Sequence, residues 1–81
     1  MSKSQILFFS STWCNPCKRI KSELSKEIED ELNILSFDAS QDFDAFSEYQ
    51  VSSVPTIVKL VDDKETNRHI GYISTEDLKN L

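Results

Sequence analysis

The chain holds two cysteines, Cys14 and Cys17, in the run Thr12-Trp13-Cys14-Asn15-Pro16-Cys17-Lys18. Two thiols at this spacing can clip the backbone, contribute to a metal site, or exchange disulfides. A closed zinc site takes about four ligands. The chain offers the two cysteines and one histidine, His69, so zinc would need ligands from a second chain. Covalent haem attachment needs a histidine directly after the second cysteine, and Lys18 stands there. A clip over so few residues would restrict the unfolded chain little, because the gain grows with loop length.

The flanking sequence favours exchange. Gln5 to Ser10 is an apolar run rich in β-formers and reads as a buried strand. From about Asn15 to Glu31 the pattern turns helical, with Cys17, Ile20, Leu24, Ile28 and Leu32 on one face. Pro16 suits the first turn, where a missing N–H costs nothing. Cys14 thus falls where a strand ends and a helix begins. Unpaired N–H groups and the helix dipole favour a thiolate there and lower the thiol pKa. Lys18, four residues on, adds positive charge on the same face. Cys17 falls on the apolar stripe. An exposed Cys14 and a shielded Cys17 suit a two-step exchange: Cys14 attacks a disulfide, then Cys17 attacks Cys14 and releases the product.

The remaining elements must hold this turn in place. Asn33 to Asp38 reads as a second strand with Ile34, Leu35 and Phe37 buried. Asp42 to Tyr49 reads as a short helix with Phe43, Ala45 and Phe46 inward. Pro55 marks a strand start or turn, and Thr56 to Val61 is the third strand. "DDKETN" reads as a polar turn, Arg68 to Tyr72 as a fourth strand, and Ser74 to Leu81 as a closing helix capped by Ser74 or Thr75. The order β-α-β-α-β-β-α implies an α/β fold: a parallel pair with a right-handed crossover, then a hairpin, in a mixed four-stranded sheet flanked by helices. His69 is expected at the surface, and the acidic run Glu27 to Glu31 on a solvated helix face.

The 81 residues suit a single domain, 1–81, with 38% hydrophobic and 28% charged residues in a globular mix. A net charge of −5 disfavours nucleic acid and anionic membranes. No apolar run reaches membrane-helix length. "MSKSQ" is too short and too weakly basic for a signal peptide. The expectation is a cytoplasmic protein, in a compartment that keeps thiols reduced and disfavours a permanent disulfide.

Beyond this reading, Trp13-Cys14-Asn15-Pro16-Cys17-Lys18 resembles the W-C-G-P-C-K motif of the thioredoxin family, with Asn15 in place of the glycine. Ser52-Ser53-Val54-Pro55-Thr56 is similar to that family's cis-proline segment, and Ile70 to Leu81 resembles its closing strand, glycine and terminal helix, with Gly71 at the matching offset. The resemblance runs from Ile6 to Leu81. It implies a thioredoxin-like fold and a thiol–disulfide oxidoreductase that reduces protein disulfides without a cofactor. Cys14 would attack and Cys17 resolve, the two forming a redox-active disulfide. Trp13, Val54 and Pro55 would bind substrate, the Val54 backbone pairing with a substrate segment, while Asn15, Pro16 and Lys18 would tune the thiols. The implied partners are disulfide-containing proteins and an electron donor, a thioredoxin reductase or glutathione, with the chain a monomer.

Three departures stand out. The chain lacks room for the strand and helix that usually precede the first strand found here, which brings its outline closer to glutaredoxin. Phe8 stands where the family has a buried aspartate that helps deprotonate the resolving thiol, and Ser36 where it has a buried lysine. The alternatives are a glutathione-dependent reductase and a non-catalytic binding subunit. Against the first, glutaredoxins usually read C-P-Y-C with a Gly-Gly pair, whereas Pro16 comes second between the cysteines here and Gly71 precedes Tyr72. Against the second, a scaffold has no need of both thiols.

Overall fold

The computed structural model describes residues 3–81. Met1 and Ser2, part of the N-terminal segment read above as too weakly basic for a signal peptide, lie outside the described residues. The elements are β1 (Ser4–Ser10), α1 (Asn15–Glu23), α2 (Lys26–Glu31), β2 (Ile34–Asp38), α3 (Phe43–Glu48), β3 (Thr56–Val61), β4 (Lys64–Ile70) and α4 (Thr75–Lys79). The sheet runs β2-β1-β3-β4, with β1 parallel to β2 and the other two pairings antiparallel. None of the described helices is long and apolar enough to cross a membrane.

β1 is buried on both faces, so it reads as an unbroken apolar run rather than an alternation. Ile6 and Phe8 join Cys14, Cys17, Ile20, Ile57, Ile73 and Leu78 in one core. Leu7 and Phe9 face the opposite way, with Val58 and Leu60. There Phe9 stacks on Phe37 at 5.1 Å and meets Phe46 edge-on at 4.9 Å. The first core is covered by α1 and the C-terminal segment, the second by α3. Each aromatic contact of this kind adds about 0.5–1.5 kcal/mol beyond area burial.

Several expectations need correction. The helix expected over Asn15 to Glu31 is two helices. Leu24 is extended, and Ser25 caps α2 by accepting from the Ile28 N–H at 3.2 Å. Serine favours a cap over a helix interior, and the break lets Leu24 and Leu32 both pack against the first core. Asn33 does not start the strand: its φ of 54° places it in the left-handed position that ends α2. Gln50, at φ 53°, ends α3 in the same way, with Val51 N–H donating to the Phe46 carbonyl at 2.8 Å.

Leu35 is 47% exposed because β2 is an edge strand, and Phe43 is 73% exposed at the start of α3, where Ala45 and Phe46 alone of the three expected residues pack inward. The fourth strand begins at Lys64, not Arg68, and ends at Ile70, before Gly71 turns the chain at φ 101°. The turn is Asp62-Asp63 alone, both left-handed at φ 53° and 68°, as a two-residue hairpin requires. Lys64 to Asn67 look like a turn in sequence because they lie on the other sheet edge, where exposed polar side chains discourage further pairing.

Candidate active site

The strand-to-helix turn after β1 positions both cysteines. Cys14 is the N-cap of α1, with extended backbone (φ −94°, ψ 109°), and its Sγ accepts from the Cys17 N–H at 3.3 Å. A sulfur in this place occupies the position of an N-cap oxygen and faces the positive end of the helix. Pro16 lies in the first turn, which contains no acidic residue. Lys18 N–H donates to the Cys14 carbonyl at 3.1 Å and closes that turn, and its side chain is exposed. The two sulfurs are joined in a disulfide, with Cα atoms 5.3 Å apart.

Cys17 is fully buried in the first core, as the apolar stripe implies. Cys14 departs from expectation: it is only 5% exposed. Its sulfur folds back over the first turn toward Cys17 instead of projecting outward. The asymmetry survives in weakened form, because Trp13, Asn15 and Pro16 around Cys14 are exposed while Ile20, Ile57 and Phe8 enclose Cys17.

Trp13 is 75% exposed and shares a groove with Val54, together with Ala39, Phe46, Val51, Ser52 and Ser53. Val54 packs against the core that contains both cysteines. The Val54–Pro55 peptide is cis, and Pro55 is buried. The Pro55 carbonyl accepts from Gly71 N–H at 2.9 Å, which ties the proline loop to the end of β4. That tie brings in a residue the sequence reading missed. Ile70, opposite Thr56 in the β3–β4 ladder, is 63% exposed beside the proline loop. The available signal was an isoleucine just before a glycine in an otherwise polar strand.

Beneath the disulfide, Phe8 is 2% exposed and lies beside Ser36 across the parallel ladder. Ser36 is exposed. No charged side chain is buried among the described residues; the buried polar ones are Ser10, Ser11 and Thr56. The Ser11 hydroxyl, three residues before Cys14, is a buried polar atom without a hydrogen-bond partner. Lys21 Nζ lies 5.8 Å from the Phe8 ring centroid. Asp38, at the end of β2, is held below the usual carboxylate range by hydrogen bonds from the Ser40 hydroxyl and N–H, with Lys21 adding to the effect.

Asn15 and Pro16 of the first turn of α1 line a second groove with Arg19 and Tyr72. The Arg19 guanidinium lies 4.3 Å from the Tyr72 ring centroid. The Tyr72 hydroxyl donates to Glu23, which pushes its pKa above the ordinary phenol value. His69, expected at the surface, is half-buried because its Nε2 meets the Tyr72 carbonyl at 2.9 Å. It is a hydrogen-bonded strand residue that braces the turn into the C-terminal segment.

Comparisons with known proteins agree with one another. The family model described as Thioredoxin matches residues 1–81. The thioredoxin of Staphylococcus aureus is 31% identical over 80 residues, which cover 95% of this chain and 77% of that protein. The X-ray structure of Fasciola hepatica thioredoxin superposes with a TM-score of 0.81 at 29% identity, over 96% of this chain and 77% of that one. A thioredoxin structure from Nicotiana alata gives a TM-score of 0.83 at 25% identity, over 96% of this chain and 69% of that one.

Proposed function

The chain belongs to the thioredoxin family and is a CxxC thiol–disulfide oxidoreductase, and we propose that it reduces protein disulfides with Cys14 attacking and Cys17 resolving. The observation that carries the division of labour is the placement of Cys14 as the cap of α1 at an open rim, over a Cys17 with no exposure. In the reduced protein the helix N-terminus favours a Cys14 thiolate. That thiolate attacks one sulfur of a substrate disulfide. A Cys14–substrate disulfide forms, the substrate S–S bond breaks, and the departing substrate thiolate takes a proton from water. Cys17 then loses its proton and attacks the Cys14 sulfur. The Cys14–Cys17 disulfide forms and the second substrate thiolate leaves. Two electrons pass from the protein dithiol to the substrate.

The surroundings fit this sequence. Trp13 and Val54 offer an apolar groove for the substrate segment, the Val54 backbone a strand to pair with, and buried Pro55 a fixed floor beside them. Asn15, Pro16 and Lys18 shape the first turn and so the thiolate at its head. With Phe8 packed against the cysteines and no carboxylate buried among the described residues, water is the acceptor of the Cys17 proton. We place the whole chain, 1–81, in one domain acting as a monomer. A dithiol that must be reduced after every turnover works where thiols are kept reduced, which favours the cytoplasm. Its electrons come from a thioredoxin reductase, with glutathione the alternative donor.

Insulin reduction driven by dithiothreitol tests the activity. The expected result is acceleration that requires both cysteines; no acceleration would refute the reading. Replacing dithiothreitol by thioredoxin reductase with NADPH, or by glutathione, then identifies the donor.

A further inference from the structure

The two grooves beside the disulfide differ in chemistry. The chain has 14 acidic and 9 basic residues, yet none of the acids lines either groove. The Trp13–Val54 groove carries no charge. The second groove carries one, Arg19. Asn15 and Pro16 of its lining lie between the cysteines in sequence, so this groove adjoins the turn that carries the disulfide.

Arg19 is held in place but remains accessible. Its guanidinium lies on the Tyr72 ring, and its Nε is 3.4 Å from Glu23 Oε2. The other oxygen of that carboxylate takes the Tyr72 hydroxyl, and Thr75 Oγ1 donates to the Glu23 carbonyl at 3.3 Å. The Arg19 side chain is nevertheless 66% exposed. An arginine stacked on an aromatic face, with its edge toward solvent, is preorganised to take a second carboxylate. Lys18, its exposed neighbour, adds to the same sign. On a protein of net charge −5, two cations thus lie in the first turns of the helix that Cys14 caps, one of them, Arg19, paired with Glu23.

We propose that the Arg19–Tyr72 groove is a specificity subsite that takes an acidic residue flanking the disulfide cysteine of a peptide or protein substrate, while the substrate's apolar flank enters the Trp13–Val54 groove. The inference rests on the reductase reading given above and deepens it. Substrates are then selected by charge: acidic on one side of the cysteine, apolar on the other, and disfavoured when basic.

The test uses disulfide-bonded peptides identical except for Asp, Gln or Lys beside one cysteine, with kcat/KM measured at low and high salt. The expected order is Asp over Gln over Lys. Each step should be about two- to fivefold, the size of one exposed ion pair, and should shrink as salt screens it. Arg19→Gln should bring the Asp-to-Gln ratio to about one, and Arg19→Lys should keep part of it. Equal kcat/KM for all three peptides in the wild type overturns this inference and leaves the reductase reading standing. A preference unchanged in Arg19→Gln, or insensitive to salt, overturns it too. Failure to reduce any of the peptides overturns the reductase reading together with it. The wild-type order and its salt dependence suffice to refute the proposal even if Arg19→Gln does not fold.

Discussion

Placing an acid under the disulfide tests the role assigned to the apolar floor. Phe8 is 2% exposed and packs with both cysteines. Phe8→Asp removes a buried ring, worth about 3–5 kcal/mol, and adds a carboxyl without a neutral partner, worth a further ~1–3 kcal/mol. At about 0.05–0.15 kcal/mol per residue, 81 residues hold roughly 4–12 kcal/mol in all. The variant is therefore marginal, and is best studied near about 15 °C, where small domains are most stable. Lys21 helps it, because a cation 5.8 Å from the lost ring can approach the new carboxylate. Phe8→Asn, equal in shape but without a base, is the matched control. Burial raises the new carboxyl's pKa while an approaching Lys21 opposes the rise, so it serves as a base only above the resulting value. It is needed only below a thiol pKa of about 8.5. Within that window the attack of Cys17 on the mixed disulfide should run up to about 100-fold faster in Phe8→Asp than in Phe8→Asn, the lower end of general-base catalysis. Rapid-mixing kinetics across pH measure this step. Equal rates in the two folded variants at every pH would refute the claim that Cys17 lacks a buried base.

Three further expectations follow from the site and the fold. Alkylation of the reduced protein at neutral pH should label Cys14 well before Cys17, and equal rates by peptide mapping would remove the cap's influence on the thiol. Cys17→Ser should accumulate mixed disulfides with substrates while Cys14→Ser accumulates none; equal trapping on non-reducing gels would mean the roles are not divided. Arg68 hydrogen-bonds Glu65 and holds its carboxyl below the ordinary value of 4.5. Its contribution is thus fully present above that value and lost as pH falls through the lowered pKa. Wild type should exceed Glu65→Gln by about 0.2–1 kcal/mol at neutral pH, and urea melts should show the gap closing well below pH 4.5.

The sequence was most legible where one physical cause dominated. β1 stands out because burial on both faces leaves an unbroken apolar run. The cysteine turn stands out because residue type and spacing carry its chemistry. The closing helix was readable from Ser74, whose hydroxyl accepts from Asp77 N–H at 3.1 Å. Reading failed where position in the sheet decides exposure. Leu35 was expected in the core and Lys64 to Asn67 in a turn, yet both segments lie on edges, and an edge is a property of strand order. The break at Leu24-Ser25 was hidden because the apolar spacing continues across it and both leucines still pack inward. At the site, Cys14 and Cys17 were evident. The burial of Cys14, the proximity of Ile70 to the proline loop and the stacking of Arg19 on Tyr72 come from contacts between distant segments. Tyr72 and Glu23 are 49 residues apart, and local pattern does not record such a contact.

The most direct test of dithiol exchange is a stoichiometric transfer. Fully reduced protein, freed of small thiols, is mixed with an excess of a disulfide-bonded protein, quenched with acid, and the thiols on each chain are counted by mass after alkylation. The account predicts two thiols gained by the substrate for each Cys14–Cys17 disulfide formed, with a transient one-to-one mixed disulfide through Cys14. A substrate that gains no thiols while Cys14 and Cys17 stay reduced, or a lasting adduct through Cys17, would contradict it.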